Sequence, residues 1–170
     1  MRCDSGEGKK MSNETDHSME KIWFKIEQDD DGYPPVQIES VWATPAGGNL
    51  FRLENVPFFA KGVSFKDEVS ISEGPDGRKW YADVVLPSGH STVRVIVYRK
   101  ADSQPLEERV GELRQRFIER GCITELSHLP GLFAVDVPPS LPLETVRPLL
   151  EEGAALEAWD YEEANLRHAS

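Results

Sequence analysis

The hydrophobic repeat changes once along this chain, and that change divides it into two folding units. Over residues 20–87 the apolar positions recur with a period of two. EKIWFKIEQ sets Ile22, Phe24 and Ile26 on one face and Trp23, Lys25 and Glu27 on the other, the alternation of a half-buried strand. The turn DDDGYPP follows, then VQIESVWAT, with Val36, Ile38 and Trp42 read in phase. After the PAGGN turn come LFRLENV and KDEVSIS, and EGPDGR then marks a hairpin through its Asp76-Gly77 pair. KWYADVVL closes the series. Five strands joined by short turns, with no helix, predict a small, strongly bent barrel of SH3-like size.

Beyond PSGHS the pattern changes. TVRVIVYR is almost continuously apolar, as a central strand should be. Leu106, Val110, Leu113 and Phe117 are spaced as one helical face, with Pro105 at its start and Gly121 at its stop. ITELSHLPG and LFAVDVPP read as two strands about a Pro130-Gly131 turn. A second helix opens at Pro142, runs through Leu143, Val146 and Leu150 and ends at Gly153. Pro148 requires it to be kinked or to start later. ALEAWDYEEA supplies the last strand. The order β-α-β-β-α-β is that of a ferredoxin-like sandwich, in which the first and third strands pair centrally. The expected class is therefore α+β, with an N-terminal tail (1–19), a β-rich barrel-like unit (20–90), a ferredoxin-like unit (91–164) and a short tail (165–170).

Composition narrows the functions. A net charge of −11 disfavours nucleic acid, which is held by clustered Lys and Arg, and favours a basic partner. Two cysteines, Cys3 and Cys122, make neither a disulfide framework nor a zinc set. The N-terminal stretch has no apolar core of a signal peptide, and no run is long enough to span a membrane. A cytoplasmic protein is expected, whose first residues are a disordered tail or an extended start, with Met11 and Met19 as alternative starts.

NVPFFAKGVSFKDEVSI and LLEEGAALEAWDYEEA, with a Pro-Phe-Phe turn and a terminal Trp-Asp-Tyr-Glu-Glu, resemble the bacterial family named domain of unknown function 4265. The likeness covers roughly residues 22–164. It implies a small bacterial protein of unassigned activity, with no catalytic residue to carry over.

Motif chemistry is sparse. Glu27, Asp29, Asp31 and Gly32 match the start of a calcium-binding loop, but Ile38 stands where a bidentate Glu is required, so an acidic turn is the better reading. Of four histidines, His17 and His168 fall in tails, His90 in a turn and only His128 on an element, without zinc spacing. His128 with Cys122 is a conceivable nucleophile pair, set against a buried thiol and an exposed hairpin histidine. PSGHS is no nucleophile elbow, and neither dinucleotide nor P-loop fingerprints occur. Arg109, Arg114, Arg116 and Arg120 are interleaved with Glu107, Glu108, Glu112 and Glu119, an ion-paired helix face. No catalytic residue, metal or cofactor is assigned.

The remaining signal is acidic. Glu151, Glu152, Glu157, Asp160, Glu162 and Glu163 surround Trp159 and Tyr161. Charge on an edge strand discourages aggregation, while rings ringed by charge also make interface anchors. These eight residues are the expected partner-binding site. The leading expectation is a stoichiometric protein-binding protein, an immunity- or antitoxin-like neutraliser of a basic bacterial toxin. The alternatives are a small-ligand sensor on a ferredoxin-like sheet, by fold analogy, and an enzyme of unrecognised type.

Overall fold

A computed structural model describes residues 18–101 and 103–168; residues 1–17, with Cys3 and His17, lie outside them. The fold is α+β. Strands β1 (Glu20–Lys25), β2 (Ile38–Gly47), β3 (Leu50–Leu53), β4 (Glu68–Glu73) and β5 (Lys79–Leu86) form a closed barrel. Neighbours pair antiparallel, and a short parallel pairing of β1 with β5 closes the ring. Its interior is filled by Ile22, Phe24, Val41, Ala43, Phe51, Leu53, Val63 and Val69.

The phase expected for β2 is inverted. Ile38 and Trp42 are 44% and 43% exposed, whereas Val41 and Ala43 are buried. Register explains this. Directly paired residues share a face of the sheet, and Val41 stands opposite Ile22 while Trp42 stands opposite Lys21. Trp42 therefore lies outside, with the Lys21 ammonium 5.1 Å from its ring centre.

The second unit contains β6 (Ser91–Val97), α1 (Leu106–Glu119), β7 (Ile123–Leu126), β8 (Leu132–Val137), α2 (Arg147–Ala155) and β9 (Trp159–Asn165). The antiparallel sheet has the order β7-β8-β6-β9. The two strands expected at its centre, β6 and β8, are adjacent and central. Val93, Val95 and Val97 of β6 face the helices with Phe133, Val135 and Val137 of β8. Val110, Leu113 and Phe117 close the core from α1, and the Phe117 ring meets Phe133 edge-on.

The second helix differs at both ends from the expectation. Leu143–Thr145 form a single 3-10 turn, and α2 starts at Arg147 with Pro148 in its first turn, where the missing N–H leaves no bond unmade. Gly153 does not end the helix. It lies inside α2, buried, and the Trp159 indole lies flat against its backbone: a Cβ there would sit 1.9 Å from Trp159 Cε2. Packing, not turn geometry, requires this glycine.

Candidate functional site

The acidic residues do not form one surface. Alternation along β9 sends Glu163 to the helix side, where it accepts from Arg147 Nε at 3.0 Å, and Glu162 to the opposite side, where it accepts from Arg94 Nη2 at 2.6 Å. On the helix layer, Glu152 pairs with Arg116 at 2.6 Å and Glu151 is exposed. Glu157 is exposed just past α2 with φ of 51°. Trp159 is only 8% exposed and belongs to the core, so it is a packing residue rather than an interface anchor, because Gly153 leaves room for its ring against α2. Tyr161 is half-buried, resting partly on the same core.

The sheet face turned away from the helices brings a different set together. Its outward positions on β6 are Thr92, Arg94 and Ile96, and the barrel covers only part of them. Glu39 of β2 accepts the backbone N–H groups of Phe59 and Ala60 at 2.9 and 2.8 Å, and also that of Phe58. That carboxylate shapes the Pro-Phe-Phe turn and lays it on the sheet. Arg94, 7% exposed, donates to the Phe58 carbonyl and sits 5.8 Å from the Phe59 ring centre. Its charge is balanced by Glu162, as a buried cation requires.

Beyond this seam the sheet is open. Ile96 is 43% exposed, and a pocket of about 220 Å³ runs over Ile96, Leu132, Leu129, Tyr33, Asp160 and Glu162. Tyr33 belongs to the DDDGYPP turn, so a second acidic segment flanks the same pocket. Asp160, Tyr161 and Glu162 are thus the expected residues that the fold brings together. Ile96, Leu132 and Tyr33 were missed. Their signal was the outward half of TVRVIVYR, where Arg94 in a central strand marks a face that is not purely core.

The acidic turn is built by its own carboxylate. Asp29 Oδ1 accepts the N–H of Asp31 at 3.0 Å and of Tyr33 at 2.8 Å, a side-chain-supported turn. Calcium or zinc at micromolar concentration is expected to move the melting temperature by less than ~1 °C, since a ligand of the native state must raise it; a saturable upward shift would contradict this.

Cys122 is buried, and burial, then the Asp136 charge, pushes its thiol up to about 12, the state of an inert thiol. His128 lies instead on the exposed β7–β8 hairpin. Polar chemistry concentrates at the junction of the two units. His90 Nδ1 lies 2.8 and 3.0 Å from the two oxygens of fully buried Asp136. Asp67, also fully buried, accepts from the Ser64 and Ser88 amides at 2.9 and 2.7 Å. Residues 166–168, expected as a tail, fold back here: Ser91 Oγ lies 2.6 Å from His168 Nδ1, and Arg167 donates to the Gly62 carbonyl at 2.8 Å. Ser91 is fully buried, and His168 Nε2 donates to the Pro138 carbonyl at 2.8 Å. This serine–histidine contact fastens the chain end.

A cleft of about 700 Å³ lies between the first half of α1 and the β7–β8 hairpin. Among the described residues no helix is long and apolar enough to cross a membrane.

No curated protein matches the chain. A solved structure described as "Novel crystal structure of a hypothetical protein from Neisseria gonorrhoeae" superposes with a TM-score of 0.70 at 18% identity, over 91% of this chain and 99% of that one. At that identity the likeness is one of fold, and it extends through both the barrel and the sheet. Residues 39–161 match the family model described as Domain of unknown function (DUF4265), a stretch that holds the Glu39-anchored turn, the whole βαββα run and the Trp159 latch, and the chain belongs to that family.

Proposed function

We propose that this chain is a stoichiometric protein-binding protein that takes a basic partner on the open face of its second sheet, as an immunity- or antitoxin-like neutraliser of a basic bacterial toxin would. In this reading the barrel is SH3-like and the second unit ferredoxin-like, and the seam at Phe58 and Phe59 leaves one end of the sheet uncovered. The supporting observation is the pocket in which Ile96, Leu132 and Tyr33 form an apolar floor beside Asp160 and Glu162. Rings and aliphatic groups bounded by charge supply slow dissociation, while the charges steer the encounter.

The reading is tested by capture on the immobilised chain from an extract of its source cells, followed by kinetics with the captured protein. Asp160→Lys is expected to slow association several-fold and flatten its salt dependence, since exposed charges are screened beyond about 8 Å at physiological salt. Ile96→Glu is expected to speed dissociation about tenfold or more, by placing a charge in the apolar floor. Both positions are exposed, so melting temperatures should stay near that of the parent. Normal binding by both folded variants would rule the face out.

A further inference from the structure

Helix α1 carries a glycine that its own packing does not need. Gly111 lies in the middle of Leu106–Glu119, and a Cβ built there meets nothing within 4 Å. A mid-helix glycine is less favourable than alanine, through lost backbone entropy. Gly153 shows the alternative case in the same fold, where an indole occupies the space. At Gly111 the space is empty, and the glycine lines the cleft between α1 and the β7–β8 hairpin.

That cleft has a consistent chemistry. Leu106, Val110, Leu129 and Leu132 give it an apolar floor. Arg99, Arg114 and His128 line it with the single carboxylate of Glu107. Arg114 is held there by Thr124, donating from Nε to Oγ1 at 3.0 Å. In a chain of net charge −11, a cleft with two arginines and one acid is a local reversal of sign. A volume of about 700 Å³ is that of small-molecule sites, which are apolar with a few fixed polar groups.

We infer that this cleft binds a free small molecule with an apolar chain and a single anionic head, a carboxylate or phosphate monoester, with the head at Arg99 and Arg114 and the chain lying along Gly111. The site borders the acidic sheet face, sharing Leu129 and Leu132 with it, but its arginines and Gly111 lie outside that face, so Arg99→Glu and Gly111→Leu test it independently of the partner proposed there.

The test uses the full chain and monomeric dodecanoate, below its micellar concentration, by calorimetry. Saturable binding with one site is expected, and dodecyltrimethylammonium, equal in chain but opposite in charge, should bind at least about tenfold more weakly, as the loss of a charge-assisted contact dictates. Arg99→Glu should weaken dodecanoate by a similar factor. Gly111→Leu should abolish binding while leaving the unliganded protein at least as heat-stable, because leucine is the better helix former and its Cβ enters open space. Absence of dodecanoate binding, equal binding of the cationic amphiphile, undiminished binding by folded Gly111→Leu, or binding only to phosphatidylglycerol vesicles would each overturn the inference.

Discussion

Replacing Gly153 with alanine is expected to destabilise the protein by on the order of 3 kcal/mol, the upper part of the range for overpacking a filled core. The added Cβ would fall 1.9 Å from Cε2 and 2.0 Å from Nε1 of Trp159. The obstacle is a ring fixed between α2 and the sheet, not the tip of a flexible chain. Trp159→Ala is expected to cost about 3–5 kcal/mol, as for other buried aromatic truncations. The two effects should not add. Once the indole is gone, Gly153→Ala should become neutral or stabilising, since alanine exceeds glycine in helix propensity by about 1 kcal/mol. Urea unfolding of the two single variants and the double variant measures this; additive losses would mean that the indole does not rest on Gly153.

The second large effect follows pH. Burial raises the carboxyl of Asp136 from 3.8 to about 6, an effect only partly offset by His90. The folded chain thus holds this proton more tightly than the unfolded chain. The resulting stability is complete below pH ~4 and is lost as pH rises through about 6. Two pH units at 1.36 kcal/mol each give about 3 kcal/mol. Asp136→Asn keeps the shape and an acceptor for His90 Nδ1. It should match the parent near pH 4 and exceed it by up to about 3 kcal/mol at pH 8. Glu54 and Glu152, whose folded values are lowered, contribute in the opposite sense at acid pH, and Glu125, raised by burial, in the same sense; comparing parent and variant removes what the two share. A pH-independent difference would show that Asp136 keeps its charge at no cost.

The elements were legible where periodicity and register agree. The apolar runs of β6 and β8 named the centre of the second sheet, and the five alternating segments named the barrel. Errors arose where a pattern admitted two phases. Around Trp42 the string IESVWAT alternates equally well either way, and only pairing with Ile22 decides that Val41 goes inside. Gly153 was read as a stop because sequence cannot distinguish a glycine needed for positive φ from one needed to admit an indole. The candidate site was less legible for the same reason. Glu162 and Glu163 are neighbours in sequence but face opposite sides of a strand, and each meets an arginine far away in the chain, Arg94 and Arg147. Ile96 and Leu132 looked like core because which face the barrel covers depends on the Glu39-anchored turn, a long-range contact.

Amide hydrogen exchange on the chain, alone and with its captured basic partner, tests the partner-binding account most directly. Partner-dependent slowing is predicted in β9 at residues 160–162, in β6 at residues 96–98 and in the hairpin at residues 129–132, with α2 unchanged. Slowing confined to the barrel strands between residues 38 and 86, with residues 96–98 and 160–162 exchanging as in the free chain, would contradict it.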